Sequence, residues 1–180
     1  MASLYTHQSK NVAKTWTLMA VFFVIIIFLG WFLSQYYGNP TILYGFFAFS
    51  VLMNVASYWW SDKLVLAMTG AKSASREEFY DLYTVTENLS IAAGLPMPKL
   101  YVIHDRAPNA FATGRNKEHA VVAVTTGLLQ ILERSELEGV VAHELSHIGN
   151  RDILLGTVVV MLVGLVTLIA DFFTRSLWFG

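Results

Sequence analysis

The chain has 180 residues, no cysteine, a hydrophobic fraction of 55%, a charged fraction of 14% and a formal net charge of −1. Soluble domains usually have about a quarter of their residues charged, so this composition is typical of a membrane protein. The absence of cysteine excludes disulfides and thiolate metal sites. A near-neutral chain without runs of Lys or Arg gives no sign of a nucleic-acid partner.

Two apolar segments near the N-terminus have the length of membrane spans. Residues 15–34 and 41–60 lie in a stretch without a charged residue, and about twenty apolar residues cross a hydrocarbon core of roughly 30 Å. The linker QYYGNP contains turn residues, so we predict an antiparallel transmembrane hairpin over 15–61. A cleaved signal peptide is the alternative for the first segment, but its apolar run is too long and no small-residue cleavage site follows.

Basic residues predict the orientation of this hairpin. Lys10 and Lys14 precede the first span, and Lys63, Lys72 and Arg76 follow the second, whereas the linker has no basic residue. By the positive-inside rule, the N-terminal segment 1–14 and the segment after the hairpin are expected in the cytoplasm.

Capping signatures predict two helices within residues 62–152, a stretch with the mixed charge of a soluble domain. Ser75 and Glu78 have the spacing of a capping box and open the first helix. Ser135 and Glu138 have the same spacing and open the second. Both signatures precede apolar residues that recur at helical spacing.

Strand-like runs lie between the two predicted helices. They are β-branched or aromatic segments separated by the turn-like sequences DRAP and RNKE, at residues 99–104, 109–114 and 119–126. A helix, a few strands and a second helix predict a small α+β domain with one sheet, on the cytoplasmic side of the membrane.

Residues 153–173 are a third apolar segment, without a charged residue before Asp171. Its length predicts a third span that leads outward from the cytoplasm, with residues 174–180 as a tail. The alternative is a buried helix of the soluble domain.

The sequence HELSH places His143, Glu144 and His147 on the second predicted helix. At 3.6 residues per turn, the two histidines project about 40° apart and one turn apart, so both imidazoles can bind one cation. Imidazole ligands favour zinc over magnesium or calcium, which prefer oxygen. Glu144 is then expected to act as a general base without binding the metal. Two incidental polar histidines are the alternative.

The motifs NAFATG, VTTGLL and HELSHIGNRD occur in this order behind a hairpin of predicted spans. In this respect the chain resembles the M48 family of zinc metallopeptidases, specifically its membrane-bound branch of HtpX-like heat-shock proteases. The resemblance covers essentially the whole chain. It implies that His143 and His147 bind Zn²⁺, that Glu144 is the catalytic carboxylate and that residues 109–114 line the substrate cleft as an edge strand. For Asn109, a turn residue after Pro108 is an equal alternative.

The resemblance also implies a role and a location. It indicates a multi-pass zinc endopeptidase of the bacterial inner membrane that hydrolyses peptide bonds in misfolded membrane proteins, with the peptidase domain facing the cytoplasm. The partners implied are protein substrates and the lipid bilayer, and the oligomeric state is not predicted.

The third zinc ligand is not identified in this chain. In the family that the chain resembles, it is a glutamate on a later helix. Asp152 is five residues past His147 and out of register for a ligand, so we expect it to support a ligand or cap a helix. Asp171 would lie roughly 36 Å along a continuous helix from His147. His104 and His119 are expected to be surface residues.

We therefore expect the chain to be the front part of a longer protein, which by itself binds zinc weakly and cleaves little. One alternative is a membrane scaffold with a degenerate metal site. Another is a transport module, which is disfavoured because the predicted spans have no ionisable residue before Asp171.

Overall fold

The computed structural model describes the backbone of residues 4–179 and the side chains of 8–60, 62–160 and part of the remainder. The helices are α1 Leu4–Tyr37, α2 Thr41–Trp59, α3 Ser61–Met68, α4 Tyr80–Ala93, α5 Thr126–Ile131, α6 Arg134–Asn150 and α7 Ile153–Phe179. The strands are β1 Lys72–Ser73, β2 Lys99–Ile103, β3 Ala110–Thr113 and β4 Val121–Thr125. This is a mixed α and β structure in which helices predominate.

Helices α1 and α2 form the predicted hairpin. Two segments of the described chain, Gln8–Tyr37 and Thr41–Trp59, are long and apolar enough to cross a membrane. The chain reverses at Gly38, which has a φ of 62° and occupies the left-handed region where glycine is favoured. The two helices approach closely at Gly30, where an added Cβ would lie 2.5 Å from Cβ of Phe46. Small residues at such crossings let membrane helices pack tightly.

Helix α7 leaves the domain at a sharp bend. The axes of α6 and the first part of α7 differ by 91°. Within the described residues, α7 meets the length and hydropathy criteria for a membrane span only when it is counted together with α6. The predicted third span at 153–173 is therefore not confirmed and stays a prediction. The first turns of α7 pack on the hairpin, since Leu154 and Val158 share a buried cluster with Met19 and Phe22 of α1.

The three predicted strands are confirmed, and they join β1 in one sheet of order β1-β2-β4-β3. Strands β2 and β4 are parallel, whereas β3 runs antiparallel to β4. Among the described strands, β3 therefore lies at an edge with one side unpaired.

Both helix starts differ from the prediction. Ser75 Oγ accepts a hydrogen bond from the Glu78 amide (3.2 Å), but this closes a turn and α4 begins only at Tyr80. Helix α6 begins at Arg134, and its capping carboxylate is Glu136, which accepts from the Glu133 amide at 2.9 Å. The predicted Ser135–Glu138 box is therefore wrong by two residues.

The core of the domain lies between the sheet and helices α4 and α6. Its fully buried side chains include Leu82 and Val85 of α4, Val122 of β4, and Val141 and Ile148 of α6. Burying such side chains stabilises the fold by about 1.5–3 kcal/mol each. Because α6 packs on the core along its apolar face, the side of the helix on which each remaining residue lies is also fixed.

Candidate metal centre

Helix α6 brings the two predicted ligands together. His143 and His147 lie one turn apart with their rings nearly perpendicular, at an interplanar angle of 86° and a centroid distance of 4.7 Å. Their Nε2 atoms are 3.2 Å apart. Both imidazoles thus direct the same ring nitrogen to one place on the surface of the helix.

This separation fits a zinc ion. Nitrogens bound to zinc lie about 2.0–2.1 Å from the metal, so two of them in a tetrahedral site are about 3.3–3.4 Å apart. The observed distance between the Nε2 atoms of His143 and His147, 3.2 Å, is close to this value. The distance between the two nitrogens is thus compatible with both of them binding one zinc ion.

Asp152 supports the second histidine. Its Oδ2 lies 3.1 Å from Nδ1 of His147. When Nδ1–H donates to this carboxylate, the lone pair of Nε2 is left available for a metal. The second oxygen, Asp152 Oδ1, is buried and has no hydrogen-bond partner among the described residues. A buried carboxylate oxygen without a partner is costly, which makes this atom a further candidate to contact a bound cation or its water.

A helix cap places Asp152 beside His147. Arg151 has a φ of 56°, in the left-handed region. Its amide donates to the Ile148 carbonyl and the amide of Asp152 donates to the His147 carbonyl, both at 3.3 Å. This is the hydrogen-bond pattern of a Schellman motif, in which the chain folds back over the last turn of the helix. The carboxylate of Asp152 is thereby returned to the imidazole five residues earlier.

Helix α1 holds the same end of α6. The side-chain amide of Gln8 donates to the Gly149 carbonyl at 2.6 Å, and that of Asn11 donates to the Asn150 carbonyl at 3.2 Å. The last carbonyls of a helix lack partners within the helix, so these two contacts satisfy them. The N-terminal end of the first candidate span is thus attached to the helix that carries the histidines.

Glu144 lies at the base of a cavity. The residue is only 8% exposed, and it lines a cavity of about 860 Å³ together with His147 and Asp152. The residue directly follows His143 on α6, although His143 itself does not line the cavity. A carboxylate that can accept a proton therefore lies in the same cavity as His147.

The edge strand β3 forms one wall of this cavity. Residues 109–113 line it, facing the first two turns of α7. Strand and helix are tied together by a hydrogen bond between the hydroxyls of Thr113 and Thr157 (2.8 Å). The backbone of Asn109 pairs with Thr125, whose hydroxyl accepts from the Asn109 amide at 2.9 Å. Asn109 thus both ends a turn and lines the cavity.

The comparison with protein families identifies the chain. The model of Peptidase family M48 matches residues 76–177, more than half of the sequence. The chain belongs to peptidase family M48.

Its relatives include HtpX-type proteases. The chain is 47% identical over 179 residues to "Protease HtpX homolog" of Caldanaerobacter subterraneus subsp. tengcongensis, covering 99% of this chain and 60% of that protein. It is 44% identical over 167 residues to "Protease HtpX homolog" of Pyrococcus furiosus, covering 93% of this chain and 56% of that protein. The M48 chain therefore spans at most about 60% of the length of these relatives.

The structure does not assemble a full ligand set for the M48 chain. Within the described residues, no group of three His, Asp or Glu side chains is placed to hold a metal ion. His104 is exposed in a loop, and His119 contacts Arg115 and Asn116 instead. Asp171 pairs with Arg175 at 2.8 Å. The third ligand is thus not identified among these residues.

Sequence reasoning missed two walls of the cavity. Val65 of α3 and Thr69, the residue after α3, line it, as do Gly156 and Val160 of α7. The order of strands and the bend before α7 bring these residues to the site, and no local motif indicates that proximity. The two hydroxyls that join Thr113 to Thr157 were likewise not predicted.

Proposed function

We propose that this M48 chain carries the catalytic helix of a membrane-anchored zinc endopeptidase. The observation that carries the proposal is the convergence of the Nε2 atoms of His143 and His147, 3.2 Å apart, beside a cavity that contains Glu144. His143 and His147 are the proposed metal ligands and Glu144 the proposed catalytic carboxylate. The third ligand is proposed to be a glutamate in the part of the relatives that this chain does not span.

Bound zinc would lower the pKa of a water molecule to about 7 and polarise the carbonyl of the scissile peptide. Glu144 would accept a proton from the attacking water and deliver it to the nitrogen of the leaving amine. Asp152 would hold His147 in the tautomer that keeps Nε2 free, through its contact with Nδ1. Each of these groups acts from a rigid position, because α6 is packed on the core along its length.

The substrate is proposed to bind along β3. An edge strand can pair with an extended peptide through its free backbone groups. The cavity beside β3 is mostly apolar, being lined by residues such as Phe111, Ile153 and Val160. An extended segment with apolar side chains fits this chemistry, which agrees with misfolded membrane proteins as substrates.

The domain is proposed to lie on the cytoplasmic face of the plasma membrane. The two candidate spans, together with HtpX homologues as relatives, support a membrane protein. Lys10, Lys14 and Lys63 flank the hairpin on the side of the domain, which is the side that the positive-inside rule assigns to the cytoplasm. Helix α7 is proposed to enter the membrane as a third span.

Removal of the metal tests this function. We expect cleavage of an unfolded membrane-protein substrate, by the protein expressed from its complete gene in liposomes, to be lost on treatment with a chelator. Stoichiometric Zn²⁺ should restore it, because a chelator removes the metal and leaves the proposed imidazole ligands in place. Cleavage that persists after all zinc has been removed would contradict the proposal.

A further inference from the structure

A second cavity lies where α2 meets the α/β domain. Its volume is about 520 Å³. Its walls combine two tryptophans at the end of α2 with basic and imidazole side chains of α3, β2 and the connection between β3 and β4: Trp59, Trp60, Lys63, Lys99, Arg115 and His119. It shares no lining residue with the cavity at the histidine pair. The proposed peptidase chemistry therefore does not explain it.

The guanidinium of Arg115 is held in place within this cavity. It lies over the ring of Trp59, 4.5 Å from the centroid. One of its terminal nitrogens is 2.9 Å from Nε2 of His119. Arginine only donates, so Nε2 accepts, and Nδ1–H of the same ring donates to Asn116 Oδ1 at 2.7 Å. His119 thus orients Arg115, and within the described structure most of the N–H groups of the guanidinium are left for a ligand.

The cavity lies at the domain-facing end of the candidate span α2. The candidate span of α2 ends at Trp59. Trp16 of α1 stacks on Tyr58 of α2 at a centroid distance of 5.7 Å, so the domain-facing ends of both spans carry aromatic rings at the same height. Tryptophan and tyrosine prefer this interfacial position. Because Arg115 lies on the ring of Trp59, its charge is at the domain-facing end of this candidate span, where the phosphates of a bilayer crossed by α2 would lie.

The charge of the cavity is positive. Lys63, Lys99 and Arg115 line it against the single carboxylate of Asp62. Among the described residues, none of these three cations has a carboxylate within ion-pair distance. Three cations without acidic partners contrast with the net charge of −1 of the whole chain. The cavity therefore suits an anionic group.

We propose that this cavity binds the phosphate of an anionic phospholipid headgroup. Basic pockets at the membrane surface bind such headgroups, and each nearby cation contributes about a fivefold gain in affinity. The tryptophans favour a lipid over free phosphate, since Trp59 and Trp60 are about half exposed and can contact the glycerol and upper acyl region. The bound lipid would join the hairpin to the domain, because its ligands come from both.

The test measures lipid binding to the purified full chain in detergent micelles by native mass spectrometry. Phosphatidylglycerol and phosphatidylcholine are titrated separately, and glycerol 1-phosphate is added as a soluble competitor. We expect phosphatidylglycerol to bind more tightly than phosphatidylcholine. Arg115→Gln and Lys99→Gln should each weaken the binding of phosphatidylglycerol by about fivefold. Arg106→Gln, an exposed basic residue outside the cavity, should not weaken it.

Lys99→Gln keeps the test decisive if Arg115→Gln disturbs the fold, because the Lys99 side chain is exposed and makes no ion pair in the described structure. Equal affinity for the two lipids, or equal losses in the Lys99 and Arg106 variants, would overturn the proposal. Displacement of phosphatidylglycerol by an equal concentration of glycerol 1-phosphate would also overturn it, and would assign the cavity to a soluble phosphate compound.

Discussion

Glu144→Gln is expected to lower the rate of peptide-bond cleavage by about 10²–10⁴-fold and to leave the bound zinc in place. Glutamine has the shape of glutamate but cannot accept a proton. Glu144 lies in the cavity next to His147, while the proposed ligand atoms are the Nε2 atoms of His143 and His147. The substitution should therefore prevent proton transfer without affecting zinc binding. Cleavage of an unfolded membrane protein and zinc content, measured on the same liposome preparation, check both parts.

Glu138→Gln is the matched control for this variant. Glu138 lies on the same helix, its side chain is 51% exposed, and its one ion pair, with Arg134, is long at 3.8 Å. Such an exposed pair contributes little to stability, so this variant should cleave like the wild type. If Glu144→Gln also cleaved like the wild type, the general-base role would be wrong. A non-catalytic membrane scaffold would then become the better description of the chain.

His147→Ala is expected to lower the affinity for zinc by more than about 100-fold, because it removes a ligand and not only its support. Asp152→Asn should lower it by about 10–100-fold, the usual effect of a residue that holds a metal-bound histidine. The loss of affinity should be smaller for Asp152→Asn than for His147→Ala, because Asp152 is proposed to act on the metal only through Nδ1 of His147, at 3.1 Å. Competition with a chromogenic zinc chelator measures both affinities.

His104→Ala is the control for this series, since His104 is an exposed loop residue of the same domain. It should bind zinc like the wild type. An unchanged affinity in His147→Ala would refute the proposed ligand. A loss in Asp152→Asn as large as in His147→Ala would indicate that Asp152 itself binds the metal, through the buried Oδ1 that has no partner in the described residues.

The histidine pair could be predicted because its geometry is local. The spacing of His143 and His147 on one helix determines that their rings lie one turn apart, whatever the rest of the fold. The apolar residues that anchor α6, such as Leu137, Val141 and Ile148, could be assigned for the same reason, since their helical spacing indicates one buried face. The hairpin of candidate spans follows from apolar length alone.

The contact of Asp152 with His147 depends on a backbone conformation that the sequence does not favour. Arg151 occupies the left-handed region, which a residue with a Cβ seldom adopts, whereas the nearby Gly149 remains helical. A cap two residues earlier, at the glycine, would be the usual expectation. Packing of α7 on the hairpin and the amides of Gln8 and Asn11 at the end of α6 stabilise the observed turn instead.

The walls of both cavities depend on contacts between distant parts of the chain. Strand β3 lines the first cavity because it is an edge strand, and its position follows from the crossover that places β4 between β2 and β3. Arg115 reaches Trp59, 56 positions earlier by the residue numbers, only because the fold brings the loop after β3 to the end of α2. Hydrophobic periodicity indicates which face of an element is buried, but not which element covers it.

The capping boxes show a different limit. The Ser–x–x–Glu spacing occurs at both Ser75 and Ser135, yet neither serine begins a helix. At the second site, two glutamates three residues apart, Glu133 and Glu136, form the cap instead. Neighbouring acidic residues offer several registers of similar energy, and the packing of α6 on the core selects one of them.

The most direct test of the proposed zinc site is zinc K-edge X-ray absorption on the purified protein loaded with one equivalent of Zn²⁺. We expect the outer-shell scattering of two imidazole rings, with first-shell nitrogen or oxygen at about 2.0–2.1 Å. One imidazole should be lost in His147→Ala. A spectrum without imidazole scattering, or one that His147→Ala leaves unchanged, would show that His143 and His147 do not hold the metal, and would contradict the proposed site.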